Sequence, residues 1–195
     1  MEALDNYIPE QARAQIHSYL NAGDFTVKIT KQRATKHGDF RRLKNGTYQI
    51  TINENLNPHQ FLLTLVHEIA HYKTYKLYGR VQPHGTAWKN TFRELMLPFV
   101  RPAIYPNTIL PHLAQYLRNP KASTDSDPKL SLALKQDDLD SDKNYIFELS
   151  FGSEFYLKNR KFTLLEKKRT RFLCLEIATQ KKYLINQNTE VSVLS

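Results

Sequence analysis

The sequence predicts an α+β protein: a helix, a short antiparallel sheet, a long helix and a following helix, then a small β-rich module. Three observations carry this. Apolar residues recur at helical spacing in "IPEQARAQIHSYLNAG" and again in "NPHQFLLTLVHEIAHYKTYKLYG". Alternation typical of strands occupies "FTVKITK" and "TYQITIN". Beyond residue 143 the pattern changes to short runs rich in aromatic and branched residues, separated by turns and charges.

In the first helical stretch Ile8, Ala12, Ile16 and Leu20 share one face, with Pro9 near the start and Gly23 past the end. The turn "KNG" at 44–46 precedes the second strand, and "QRATKHGDFRRL" before it reads as a hairpin arm or edge strand. The long helix has Asn57 as N-cap, Pro58 at its first position and Gly79 as terminator. The next helix runs from about residue 85 towards Pro98. Pro102, Pro106 and Pro111 then interrupt the chain before a short helix, "HLAQYL". These elements place a first domain at residues 1–118.

Residues 119–142, rich in Pro, Ser and Asp, read as an acidic flexible linker. Residues 143–195 form the β module, from "NYIFELS", "EFYLK", "KFTLLEK", "RFLCLEIA" and "KKYLINQ". No run of about 18 apolar residues is present, which argues against a transmembrane helix. The single Cys174 cannot close an intrachain disulfide, and the polar start "MEALDNYIPEQAR" does not resemble a secretory signal. The expected location is the cytoplasm.

Charge is distributed unevenly. Residues 1–118 hold 15 Lys and Arg against 8 Asp and Glu, residues 119–142 hold 3 against 6, and residues 143–195 hold 10 against 5. Two basic segments around an acidic one favour a polyanionic partner, because neutralised phosphates release counterions.

The chemistry concentrates in "LVHEIAHYK". His67 and His71 are four apart on a helix, so both imidazoles reach one face and can bind one tetrahedral Zn²⁺. Glu68 is adjacent to the first of them. Zinc lowers the pKa of a bound water towards 7, and a carboxylate in reach takes its proton. A catalytic zinc needs a third protein ligand and one open position. The extended pattern HExxHxxGxxH is excluded, because Thr74 and Leu77 stand where it needs Gly and His. His84 in "QPHGTAWKNTF" is the better candidate, brought back by a helix–loop–helix hairpin, with Glu94 as a weaker substitute. His17, His37, His59 and His112 show no mutual spacing. Tyr72, Tyr75, Tyr78 and Arg80 are near enough in sequence to stabilise an oxyanion, and the sequence does not choose among them.

"LVHEIAHYKTYKLYGRVQPHGTAWKNTF" resembles the SprT-like metallopeptidase family, whose motif is HExxH followed by a histidine in an HG…F context. "TKHGDFRRLKNGTYQITINENL" resembles the strand segment of that family. The resemblance covers roughly residues 5–118, with Phe92 in the place of the motif's phenylalanine. It implies a small zincin-like domain, one zinc per chain on His67, His71 and His84, and Glu68 as general base. The family includes the Spartan proteases, which degrade proteins crosslinked to DNA. The expectation is therefore a zinc endopeptidase acting on DNA-associated or DNA-crosslinked proteins. The alternative is a nucleic-acid-binding protein whose zinc site is structural or silent. Many family members end in a zinc ribbon with two cysteine pairs. Cys174 alone cannot hold zinc, so the terminal module is expected to be ribbon-derived or SH3-like and metal-free.

The basic stretch 28–44 supplies the expected nucleic-acid contacts, Lys31, Arg33, Lys36, Arg41 and Arg42, with Phe40 available to stack a base. That combination favours single-stranded DNA. The run "KKRTR" at 167–171 is a second basic segment.

Overall fold

A computed structural model describes residues 2–33, 35–136, 144–169, 171–187 and 189–193. The chain divides into two compact units, Met1–Ala122 and Ser123–Ser195. Among the described residues no helix is long and apolar enough to cross a membrane.

The first unit begins with helix α1 (Glu2–Asp5) and a 3₁₀ turn at Glu10–Ala12 that leads into α2 (Arg13–Asn21). Ile8, Ala12 and Ile16 are buried, as the helical spacing requires. Strands β1 (Phe25–Thr30), β2 (Gly38–Arg42) and β3 (Tyr48–Asn53) follow. Their order is β1-β3-β2, with β1 parallel and β2 antiparallel to β3. The expected antiparallel sheet is therefore mixed. The cause lies in the segment after β1, which crosses over so that β3 enters between β1 and β2 and leaves β2 on the edge. Arg33 stabilises that crossing. Its guanidinium donates to Asn53 Oδ1 (2.8 Å), Thr51 Oγ1 (2.9 Å) and the carbonyls of His37 and Thr51 (both 3.4 Å). Thr51 and Asn53 are almost wholly buried, and these bonds satisfy them.

Helix α3 (Pro58–Tyr78) is the axis of the unit. The Asn57 side chain accepts from the Gln60 N–H at 2.9 Å, Pro58 occupies the first turn, and Gly79 closes the helix at φ 68°. Every residue from 61 to 70 is buried, so no side of this stretch faces water. A helix surrounded in this way has no solvent-facing polar stripe, and sequence periodicity weakens accordingly. Ile50 and Ile52 of β3 are fully buried, and both β2 and β3 lie against α3.

Helix α4 (Thr86–Met96) packs back on α3 and buries Trp88, Phe92, Leu95 and Met96. A 3₁₀ turn at Leu97–Phe99 precedes α5 (Leu110–Arg118). Arg93 of α4 donates to the terminal carbonyls Leu117 O (2.8 Å) and Arg118 O (3.0 Å), the groups a helix end leaves unpaired.

In the second unit the linker expectation does not hold for residues 128–136, which form α6 (Pro128–Gln136). Asp127 caps it through the Leu130 N–H at 3.2 Å, and Leu130, Ala133 and Leu134 are buried at helical spacing. Residues 137–143 lie outside the described residues. The β module contains β4 (Asn144–Tyr145), β5 (Glu154–Leu157), β6 (Arg160–Lys168), β7 (Arg171–Glu176), β8 (Lys182–Asn186) and β9 (Glu190–Val193). "NYIFELS" is mostly not strand: a 3₁₀ turn takes Ile146–Glu148. The strand order is β4-β9-β5-β6-β7-β8, all antiparallel. The Phe147 N–H donates to Gln187 O at 3.1 Å, which extends the β4–β9 pairing into the link from β8.

The core of this unit is Ile146, Phe155, Phe162, Leu164, Phe172, Cys174, Ile185 and Val191. Burial pushes the Cys174 thiol up to about 11, which leaves it a neutral core side chain. Glu176 is buried and accepts from Arg160 and Thr179, which hold its carboxyl down at about 2. Apolar packing and this satisfied carboxylate account for the interior of the unit among the described residues. A fragment of residues 123–195 treated with a chelator should keep its β-sheet circular dichroism signal. Loss of that signal on chelation would reveal a metal ligand set in this unit.

Candidate metal centre

The site rests on α3 and on the loop that joins it to α4. His67 and His71, one turn apart, point the same way from the buried helix. His84 is held above them by the turn that follows Gly79. Its backbone adopts φ 56°, a left-handed conformation that costs free energy for a residue with a side chain. Gly85 then starts α4 with its carbonyl accepting from Lys89 N–H at 2.9 Å.

The three Nε2 atoms converge. His67 and His71 are 3.2 Å apart, His67 and His84 3.2 Å, and His71 and His84 2.9 Å. Burial holds the His67 imidazole well below the ordinary histidine value, with the charges of His71 and His84 adding to the effect. Burial, then the charge of His84, lowers His71 to about 3, and burial lowers His84. The triad is therefore neutral at physiological pH. Neutral imidazoles that turn three ring nitrogens on one point present more lone pairs than N–H groups can satisfy. A cation resolves that conflict. Nitrogens about 2.0–2.1 Å from a tetrahedral ion stand roughly 3.3 Å apart, close to the spacing found. The donor set, three imidazoles with no sulfur, can hold a divalent metal and leaves room for a further ligand.

Trp88, the only tryptophan, walls the site. Its ring centroid lies 4.6 Å from that of His67, 5.2 Å from His71 and 4.7 Å from His84, and its other neighbour Phe92 stacks at 5.0 Å. It is 1% exposed, and among the described residues its indole N–H has no hydrogen-bond partner. The sequence reading missed Trp88. The available signal was its place one helical turn after His84.

Glu68 is also buried, at 6% exposure. Burial raises its carboxyl to about 8 and Asp39 adds to this, while Lys36, Arg33 and the Phe40 N–H bonded to it pull the other way. A cation on the neighbouring histidines would draw the group back towards the carboxylate form.

The remaining candidates separate clearly. Glu94 is exposed and is not part of the histidine cluster. The Tyr72 hydroxyl accepts from the Asp24 N–H at 2.8 Å, and Tyr75 packs on Phe40 and Tyr48. Tyr78 and Arg80 are exposed. His17 pairs with Asp5 at 2.7 Å, and His59 packs on Tyr105.

Of the basic residues on the arm, Lys31, Lys36, Arg41 and Arg42 are exposed. Lys36 pairs with Asp39 at 2.8 Å, and Arg41 donates to Gln49 Oε1 at 3.2 Å. Arg33 is committed to the crossing described above. The Phe40 ring lies against Tyr48, Tyr72 and Tyr75, so it is not a free stacking platform.

A SprT-like family model matches residues 9–105, the stretch that contains the sheet, α3 and the histidine triad. The chain belongs to the SprT-like family. Protein SprT of Vibrio parahaemolyticus is 43% identical over 51 residues, which is 24% of this chain and 31% of that protein. Protein SprT of Pasteurella multocida is 34% identical over 98 residues, 46% of this chain and 59% of that protein. The matched stretches thus span from under a third to somewhat over half of these SprT relatives. No solved structure matches the chain significantly.

The purified protein should take up one equivalent of divalent metal per chain. His67→Ala, His71→Ala and His84→Ala should each cut that uptake sharply, as measured by elemental analysis. Because Trp88 touches all three rings, metal addition should change its fluorescence in the parent and not in His84→Ala.

Proposed function

We propose that this SprT-like protein is a zinc-dependent endopeptidase that acts on DNA-associated or DNA-crosslinked proteins. The observation that carries the reading is a convergent neutral histidine triad with a buried carboxylate beside it in the same helix. A purely structural metal site has no use for that carboxylate. His67, His71 and His84 would hold the metal. When bound, zinc supplies Lewis acidity, which acidifies water and polarises a carbonyl.

The chain's own residues do the rest. Neutral imidazoles present their Nε2 lone pairs without first losing protons. Trp88 and Phe92 cover one side of the triad and exclude water there. Glu68 takes a proton from the water that attacks the peptide carbonyl and passes it to the leaving nitrogen. The carboxylate form, which a cation on the triad would favour, is the form that accepts this proton.

Glu68→Gln should keep its metal and its fold and lose about 10²–10⁴-fold in turnover of a protein substrate. Undiminished turnover in this variant would remove the mechanism.

The DNA partner rests on the basic arm, where Lys31, Lys36, Arg41 and Arg42 are exposed around the edge strand. Single-stranded DNA should bind at least as well as duplex, and binding should fall steeply between about 50 and 200 mM salt. Arg41→Ala with Arg42→Ala should weaken binding and flatten the salt slope by about two units at most. Unchanged binding in that double variant would mark the arm as a solvated edge.

A further inference from the structure

Glycine inside a strand gives up packing and costs backbone entropy, so its presence there asks for a reason. Gly38 opens β2 with no backbone need for glycine, since the glycines at positive φ are Gly46, Gly79 and Gly152. Its reason is space. A Cβ on residue 38 would stand 2.7 Å from Glu68 Oε1, 2.8 Å from Glu68 Cγ and 2.8 Å from Thr64 Cγ2. Atoms do not approach a side-chain carbon that closely, so something would have to move. Thr64 and Glu68 are four apart on α3, and both are buried. Neither can swing aside into solvent.

The strand register supports the same arrangement. The Asn53 N–H donates to His37 O at 2.9 Å, which makes Gly38 and Ile52 a pair without mutual hydrogen bonds. Two residues on, Phe40 and Ile50 repeat that geometry, so the N–H groups of Gly38 and Phe40 turn away from β3. The Phe40 N–H donates to the Glu68 carboxylate. The free edge of β2 therefore touches Glu68 twice, once by a hydrogen bond and once by the close approach at residue 38.

We propose that Gly38 is the positioning residue for Glu68: the side chain it lacks leaves the space the carboxylate fills, within reach of the Phe40 N–H. The inference rests on reading Glu68 as the proton carrier, and it assigns β2 the task of fixing where that carboxylate stands.

The test is a cycle of full-length variants in a Thr64→Ser background, which removes the second obstacle. Gly38→Ala should lower the melting temperature by about 4 °C or more while Glu68 is present. With Glu68→Ala also in place, the same substitution should cost much less. If Gly38→Ala does not fold with Glu68 present but folds with Glu68→Ala, the proposal stands. Equal losses in the two backgrounds, or failure to fold in both, would overturn it. On unfolded casein as probe, Gly38→Ala should lower kcat about 10²-fold with KM and zinc content unchanged. In a Glu68→Gln background it should change kcat no further; an equal further loss there overturns the positioning role. A zinc-loaded parent that does not cleave casein, with or without single-stranded DNA, would count against the peptidase reading. The melting cycle would still decide the role of Gly38.

Discussion

The first unit depends on one constraint: the stretch of α3 that carries His67 and Glu68 is buried, with His71 half-buried one turn on. Histidine and glutamate side chains placed there must be satisfied or neutral, because little water reaches them. Burial keeps the imidazoles of His67 and His71 uncharged and lifts the carboxyl of Glu68. The surroundings follow from that requirement. Trp88 and Phe92 cover the imidazoles, β2 receives the carboxylate, and the turn after Gly79 supplies the third ring. The burial that stabilises the unit is thus the same burial that sets the charge state of these groups.

Much of this was legible because short-range signals are strong. The pair Asn57 and Pro58 announces a helix start, Gly79 its end, and the HExxH spacing puts two imidazoles on one face. His84 could be placed because only a few residues separate two helices, and a short loop leaves few ways to run. Other features lay beyond local reading. Strand order is decided by a crossing that Arg33 stabilises through the buried Thr51 and Asn53, and charge alone made Arg33 look like a surface residue. Phe40 looked free to stack a base until the tertiary fold set four aromatic rings around one corner. The Pro- and Asp-rich segment before the β module concealed a helix. There the same signal that marks α3, a capping residue followed by proline, stands at Asp127 and Pro128, and composition outweighed it. The seat of Glu68 is legible only as a glycine out of place in a strand.

The second unit shows how a small β module holds together with a single cysteine. Its interior is built from phenylalanine, leucine and isoleucine on alternate strand positions, and Cys174 serves there as one more apolar side chain. The buried Glu176 is tolerated because Arg160 and Thr179 both donate to it. A pair of this kind adds little net stability compared with an apolar equivalent. It does fix the start of β6 against the turn after β7, which apolar contacts alone leave free to slide.

The crossing between β1 and β3 also sets the order in which the sheet is easiest to assemble. Arg42 and Tyr48 are close along the chain, joined by a tight turn, whereas Phe25 is separated from Tyr48 by the whole of β2 in sequence. Closing the longer loop costs about 1 kcal/mol more in chain entropy, since the cost grows with the logarithm of length. The β2–β3 hairpin is therefore a locally encoded element, and β1 is an addition to it. The strand that receives the carboxylate belongs to the local part. Sequence drift in β1 or in the loop before β2 can loosen the sheet, yet the hairpin carries its own register to the helix.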